Sequence, residues 1–243
     1  MAIIGISSRY FCDDDLKGSI IGIPEAYRRA VLKCGGTPIM ILPSQDVEYY
    51  SSIPSKLNKL TNFEKEKIID QLKLCDGVII PGGIKRFEYD IFILKYCLDN
   101  DIPILGICLG MQIFTMMDEN GDMVHFNRKI ESNIDHFIMD NDEVHKVKID
   151  KKSKLYKILG VQSFTVNSRH RMEVTNPGVF EIVGYSEDGV IEALERKDKK
   201  FAIGVQWHPE MLVLKNDKIA IKLFKAFIDA AKEKDDESKI QFN

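Results

Sequence analysis

The sequence predicts a three-layer α/β fold, a flavodoxin-like sandwich whose central, mostly parallel sheet lies between helices. Short apolar strands alternate with helical stretches over the first two-thirds of the 243 residues, which is typical of β-α units in a parallel sheet. From about Val144 the strands follow one another across polar turns, which predicts antiparallel hairpins in the C-terminal third. No internal repeat or low-complexity linker divides the chain. We therefore expect one domain over 1–232 and a charged, frayed tail over 233–243.

Local signals set the expected element bounds. Two glycines at 35–36 end the first helix, and Thr61 with Glu64 has the spacing of a capping box at the start of the second. The predicted strands cover 2–6, 38–42, 77–80, 102–107, 144–149, 180–186, 190–195 and 201–207. The predicted helices cover 24–34, 61–74, 88–98, 109–117 and 217–232.

Composition excludes several classes of protein. The net charge is −3 with no basic block, which argues against nucleic acid as a partner. No apolar run reaches membrane-spanning length, and residues 1–6 lack the basic start of a signal peptide. The five cysteines are scattered, odd in number and without metal-ligand spacing, as expected for reduced thiols in the cytoplasm. These observations predict a cytoplasmic protein that binds no membrane, cofactor or metal, and they leave a homodimer open.

A nucleophile motif follows the predicted strand at 102–107. Gly106 and Gly110 flank Cys108 at two residues on each side, which allows a tight strand-to-helix turn that presents the thiol. The start of a helix favours the thiolate form of a cysteine placed there. The backbone N–H of Leu109 would then face the oxyanion formed when the thiol attacks an acyl carbon.

A histidine and a carboxylate follow another apolar strand. His208 and Glu210 are two residues apart, so an extended segment stiffened by Pro209 would turn both side chains to the same side. His208 would act as the base and acid for Cys108, and Glu210 would orient its ring. A third strand ends at Pro81-Gly82-Gly83, where Gly83, or alternatively Gly82, would give the second oxyanion donor because glycine lets a backbone amide approach the substrate.

The other histidines carry no such pattern. His125, His136 and His145 lack the spacing of metal ligands, so we expect them to lie on the surface.

The chain resembles the class I glutamine amidotransferase-like superfamily, and within it most closely the peptidase C26, or γ-glutamyl-γ-aminobutyrate hydrolase, family. The resemblance rests on segments spread over most of the chain: 4–9, 27–43, 77–83, 106–112, 166–170, 187–193 and 204–210. It implies a Cys108–His208–Glu210 triad that cleaves small γ-glutamyl amides through a γ-glutamyl thioester resolved by water.

The resemblance also implies a substrate pocket. Asn167, Ser168 and His170 would line it, and Gln112 would bond the γ-glutamyl chain, unless its amide is simply buried and satisfied by backbone. Arg169 and Arg171 either pair with substrate carboxylates or form a solvated strand face. Several loops depart from the family pattern, including Leu109 where arginine is frequent, so the leaving amine stays open.

Two enzymatic functions therefore compete. One is a stand-alone hydrolase of small γ-glutamyl amides, which the length of the chain favours. The alternative is a glutaminase subunit that passes ammonia from glutamine to a synthase partner. A third interpretation, a non-enzymatic binding module, is disfavoured because cysteine, histidine and glutamate are all present.

Overall fold

A computed structural model describes residues 1–13, 18–45, 59–116 and 127–233. The expected surface position of His125, the end of the helix predicted to reach residue 117, and nearly all of the predicted tail lie outside these residues. The strands are β1 Ala2–Ser7, β2 Arg9–Asp13, β3 Gly18–Gly22, β4 Gly36–Ile41, β5 Gly77–Ile80, β6 Ile104–Ile107, β7 Asn127–Lys129, β8 His145–Ile149, β9 Ser163–Val166, β10 Met172–Val174, β11 Glu181–Ser186, β12 Ile191–Glu195 and β13 Ala202–Val205. The helices are α1 Glu25–Lys33, α2 Asn62–Leu72, α3 Glu88–Asp99, α4 Leu109–Phe114, α5 Lys154–Leu159, α6 Pro209–Leu214 and α7 Lys218–Lys232.

A nine-stranded sheet forms the centre of the fold, in the order β4-β1-β5-β6-β13-β12-β11-β8-β9. Neighbouring strands from β4 to β13 pair in parallel, and those from β13 to β9 pair antiparallel. This confirms the predicted parallel sheet with hairpins added in the C-terminal third. The β5, β6 and β13 strands are neighbours, so their carboxyl ends bring three separate loops to one edge of the sheet.

Helices cover both faces of the sheet and bury two apolar cores. Helices α1, α5 and α7 pack on one face, where Ile79 and Leu105 point, and α2, α3 and α4 pack on the other, where Val78 and Ile104 point. Successive strand residues therefore alternate between the two cores, which requires strands apolar on both faces. This confirms the predicted three layers.

The local start and stop signals work as expected. Thr61 accepts a hydrogen bond from the Glu64 N–H, and the Glu64 carboxylate accepts one in return from the Thr61 N–H. Gly35, just past the end of α1, has φ +89°, which only glycine adopts without strain. The elements that were not predicted are short: β2 with β3, β7 with β10, β9, α5 and α6. Segments of three to six residues give too few positions for a periodic pattern.

Candidate active site

The β6–α4 turn presents the candidate nucleophile. Cys108 has φ +54° and ψ −107°, a strained conformation for a residue with a side chain, and its thiol is almost fully buried. The flanking glycines allow this turn because they have no side chains that would collide with neighbouring elements. A Cβ atom on Gly110 would lie 1.9 Å from the Ile80 carbonyl oxygen, so only glycine lets α4 approach β5 this closely.

His208 and Glu210 form a directly hydrogen-bonded pair. The distance from His208 Nδ1 to Glu210 Oε1 is 2.7 Å, and the Glu210 side chain is buried. The segment is not extended, contrary to the expectation from i, i+2 spacing. Pro209 is instead the first residue of α6, a position that suits its fixed φ and missing N–H, and Glu210 lies in the first helical turn.

The Cys108 side chain interacts with the His208 side chain, whose Nδ1 bonds Glu210, so that Nε2 is the ring nitrogen left for the thiol. Burial lowers the pKa of His208, but the Glu210 carboxylate, followed by the charge of Cys108, outweighs it and raises that pKa to about 10. The environment therefore favours the imidazolium form of His208 at neutral pH. An imidazolium beside a cysteine is the state that donates a proton to a leaving amine.

The loop after β5 lies against this pair. A Cβ atom on Gly82 would lie 3.0 Å from His208 Cε1 and 3.4 Å from Cys108 Cβ. The Gly82 N–H donates to the Tyr27 hydroxyl at 2.8 Å, so it is already occupied. Gly83 lies between Arg9 and the other predicted donor, since a Cβ atom there would lie 3.0 Å from Arg9 Cδ and 3.3 Å from Leu109 Cδ2. The Leu109 N–H opens α4 and has no partner within that helix.

Arg9 and Asp90 support this loop and were not predicted to be functional. The Arg9 guanidinium donates to the carbonyl oxygens of Pro81 at 2.7 Å and Gly82 at 3.2 Å. Asp90 pairs with Arg9 at 2.9 Å, and both side chains are buried. Holding these two carbonyls fixes the orientation of the peptide groups that follow them. A charged residue three positions after the apolar run that ends at Ile6 was the sequence signal that could have found Arg9.

Two predicted pocket residues contact other parts of the site. The Asn167 side chain clamps the His208 backbone: its amide donates to the His208 carbonyl at 3.0 Å, and its oxygen accepts from the His208 N–H at 2.8 Å. Gln112 is buried, and its amide donates to the Met172 carbonyl and to the Gln206 side chain, both at 3.2 Å. Asn167 therefore positions His208. Gln112 has the contacts expected of a buried amide, which was the alternative to a substrate-binding role.

Ser168 and His170 face a second group of histidines. Ser168 Oγ lies 3.3 Å from His136 Nδ1, and His170 Nε2 lies 3.3 Å from the same nitrogen. The expectation that His136 and His145 lie on the surface is wrong: each is only 3% exposed. Both pack around Glu192 in the centre of the sheet, an arrangement that spacing along the chain does not reveal.

The two arginines beside His170 are held by protein groups. Arg169 donates to the Met139 carbonyl, and the Arg171 guanidinium stacks 3.7 Å above the Phe137 ring. Neither contact involves the triad.

Comparisons with known proteins agree with this architecture. The peptidase C26 family model matches residues 2–210. A putative glutamine amidotransferase-like protein of Rickettsia prowazekii is 30% identical over 85% of this chain and 88% of its own length. The CTP synthase of Sulfurisphaera tokodaii is 30% identical over 80% of this chain, which spans only 39% of that protein.

Solved structures share the fold. The glutaminase domain of Trypanosoma brucei CTPS with bound acivicin superposes with a TM-score of 0.65 at 20% identity, covering 97% of this chain and 95% of that one. A glutamine amidotransferase of Thermotoga maritima gives 0.55 at 14% identity, covering 96% of both chains.

Fold and sequence similarity together define a class I glutamine amidotransferase-like protein, an enzyme of the hydrolase and amidotransferase type. The chain belongs to the peptidase C26 family. None of the helices in the described residues has the length and apolar character needed to cross a membrane.

Proposed function

We propose that this protein hydrolyses γ-glutamyl amide bonds of small molecules through a thioester on Cys108. The observation that carries the proposal is the arrangement at the sheet edge. A buried thiol lies beside a histidine, that histidine is bound to Glu210 at 2.7 Å, and a glycine turn lies against both. This is the constellation that acyl transfer by a cysteine nucleophile requires.

In the first half-reaction the Cys108 sulfur attacks the γ-carbonyl carbon and forms a C–S bond. The carbonyl oxygen takes the negative charge and accepts hydrogen bonds from the N–H groups of Gly83 and Leu109. The C–N bond then breaks as the His208 imidazolium gives its proton to the leaving nitrogen. Amine or ammonia departs, and the γ-glutamyl group remains as a thioester.

In the second half-reaction neutral His208 takes a proton from water, whose oxygen attacks the thioester carbon. The C–S bond breaks, glutamate or a γ-glutamyl acid leaves, and His208 is again protonated beside the cysteine sulfur. Glu210 keeps Nδ1 protonated throughout, so that Nε2 faces the sulfur and the reacting atoms.

A cavity of about 410 Å³ begins at the glycine turn and supports a small donor. It is lined by the turn itself, by two charged side chains and by apolar ones: Arg9, Tyr10, Phe11, Pro24, Gly82, Gly83, Ile84, Lys85 and Phe87. Its position beside Gly83 gives the donor direct access to the proposed oxyanion site.

A second candidate is a glutaminase that delivers ammonia to a synthase. The similarity to CTP synthases, of which this chain spans about two-fifths, favours it, since a separate synthase portion would then act with this chain. Both candidates use the same first half-reaction on glutamine and differ in the fate of the nitrogen and in the need for a partner.

The test is turnover of a donor panel by the purified full chain without any partner. The panel contains glutamine, γ-glutamyl-aminobutyrate and a γ-glutamyl dipeptide, with glutamate and amine release measured. We expect turnover of at least one donor and a γ-glutamyl adduct on Cys108 by mass spectrometry after acid quenching. Cys108→Ala must remove both signals. Release of amine by Cys108→Ala at the wild-type rate would refute the proposal, and activity that appears only with a synthase would favour the second candidate.

A further inference from the structure

Three histidines and one glutamate converge in the antiparallel half of the sheet, away from the residues assigned to acyl transfer. We call His136, His145, His170 and Glu192 the three-histidine cluster. His145 opens β8, Glu192 lies in β12, and the other two histidines lie in the segments before β8 and after β9. All four are at least 95% buried, and one ligand-type atom of each lies within 4.8 Å of the others.

The distances inside the cluster match a tetrahedral metal site. Glu192 Oε1 lies 3.5 Å from His136 Nδ1, 3.4 Å from His145 Nε2 and 3.5 Å from His170 Nε2. His136 Nδ1 and His170 Nε2 are 3.3 Å apart. Zinc bound at about 2.0–2.1 Å by four tetrahedral ligands places neighbouring ligand atoms about 3.3–3.4 Å apart. Four of the six pairs therefore already have nearly the required separation.

Direct hydrogen bonds do not explain the distances between Glu192 and the three histidines. A charge-assisted N–H···O bond is about 2.7–2.9 Å long, shorter than all three contacts to Glu192. Within the described residues, neither carboxylate oxygen of Glu192 and neither ring nitrogen of His145 has a hydrogen-bond partner. Burying a carboxylate and an imidazole without hydrogen bonds is costly, and a bound cation would remove that cost.

Groups around the cluster hold two of the three histidine rings, those of His136 and His170, in ligand orientation. Asp188 Oδ2 lies 2.9 Å from His136 Nε2, and the Met172 carbonyl lies 3.1 Å from His170 Nδ1. Both outer nitrogens therefore carry protons, so in the neutral rings the inner nitrogens are acceptors. These acceptors face the Glu192 carboxylate, which is also an acceptor, so the centre requires a positive charge. A carboxylate or carbonyl behind a ligating histidine is the usual arrangement in metal sites, and His136 and His170 have it.

We propose that the three-histidine cluster is a structural site for a divalent transition metal, with Zn²⁺ as the first candidate. Three imidazole nitrogens and one carboxylate oxygen fill a tetrahedral shell, which leaves no position for a substrate. The ion would join β8, β12 and the segments around residues 136 and 170. A cavity of about 340 Å³ bordered by His136 and His170 gives the ion a route to the cluster.

The site would also support the triad from a distance. Asn167 clamps the His208 backbone, and the neighbouring residues Ser168 and His170 face the cluster. An ion held there would restrain the segment that carries Asn167. Glu192 and His145 are thus expected to influence activity only through the position of His208.

The first experiment needs no variant. The full chain is stripped with a chelator, dialysed, and titrated with Co²⁺ as a spectroscopic substitute and with Zn²⁺. We expect about one ion bound per chain, the intense visible absorption of tetrahedral Co²⁺ without a thiolate charge-transfer band, and a rise in Tm with Zn²⁺. Wild-type protein that is folded yet binds neither ion would overturn the proposal and leave a shared proton as the occupant of the cluster.

Variants then locate the ion. Glu192→Gln and His145→Gln keep the side-chain size approximately and should lose at least about 10-fold in metal affinity. His208→Asn removes a histidine outside the cluster and Cys108→Ala removes the thiol, and both should bind as wild type does. Circular dichroism confirms that each variant is folded. If Glu192→Gln and His145→Gln are folded and bind Co²⁺ with wild-type affinity and spectrum, the assignment is wrong.

Discussion

The parallel and antiparallel halves of the sheet each bury histidine against glutamate, but the two groupings differ in geometry. In the parallel half, His208 bonds one carboxylate at 2.7 Å and its side chain keeps 14% exposure beside the nucleophile. In the antiparallel half, three histidine nitrogens surround Glu192 at 3.4–3.5 Å, and each side chain is at most 2% exposed. A short, single, more exposed pair suits proton transfer, whereas a wider and more deeply buried set suits a bound cation.

Burial also has a different effect at the triad and at the three-histidine cluster. At the triad, burial strengthens the interaction between His208 and Glu210, which leaves one ring nitrogen free to act on the thiol. At the three-histidine cluster, burial is deeper, and it places three imidazole rings around one carboxylate with at most 2% of each side chain exposed. The two proposals thus place chemistry and structural support in opposite halves of one sheet.

The largest predicted effect is on Cys108. Replacing it by alanine removes the nucleophile and should lower kcat by at least about 10⁴-fold, while metal binding stays at the wild-type level. Glu192→Gln should show the reverse pattern, with metal lost and the thioester on Cys108 still formed. Kinetics and metal analysis on both variants test the separation. Loss of both properties in both variants would mean that the two groupings form one site.

The next effect is on Glu210. Glu210→Gln keeps the size of the side chain but removes the charge, so it should lower the pKa of His208 and reduce kcat by about 10²–10⁴-fold. Steady-state kinetics and the His208 ring signals in NMR measure the two consequences. Glu195→Gln is a control from the antiparallel half, because Glu195 accepts hydrogen bonds from the start of α5. Wild-type kcat in Glu210→Gln would show that Glu210 does not orient His208.

The contrast also explains which parts could be predicted from sequence. Cys108 with its glycines, and His208 with Glu210, lie close together along the chain after apolar strands, so short-range spacing carries the information. The members of the three-histidine cluster come from four separate segments, and only the tertiary fold brings them together. The single local signal was Glu192, a carboxylate within the apolar strand 190–195. The sheet and its layers were predictable because strand periodicity repeats many times.

Local geometry was predicted less well than residue identity. His208 and Glu210 were expected to meet in an extended segment, yet they meet across the first turn of α6. Arg9 and Tyr27, both within the first 27 residues, contact Gly82 in the loop after β5. Their distance from Gly82 along the chain follows no pattern from which these contacts could be predicted. Contacts between side chains and distant backbone groups depend on packing, which sequence pattern does not specify.

A smaller effect is expected at Tyr27. Burial, followed by the Glu210 carboxylate, raises the pKa of Tyr27 well above its ordinary value, so the hydroxyl stays protonated and accepts from the Gly82 N–H. Tyr27→Phe leaves that N–H without its partner and should reduce kcat by about 10-fold with little change in KM, because the adjacent oxyanion donor is loosened. Tyr156→Phe, on α5, is the matched control and should behave as wild type. A change in KM alone would place Tyr27 in substrate binding instead.

The smallest effect concerns stability against pH. The pKa of His208 is raised in the folded state to about 10, so its contribution to stability is fully present below its unfolded value of about 6.5. That contribution is lost as the pH rises towards 10. Urea unfolding of the wild type and of His208→Asn should therefore give a difference in free energy that shrinks by on the order of 1 kcal/mol or more across this range. Both proteins are measured at the same Zn²⁺ concentration, so that the three-histidine cluster contributes equally. A difference that is constant from pH 6 to pH 10 would show that the charge on His208 does not stabilise the parallel half of the sheet.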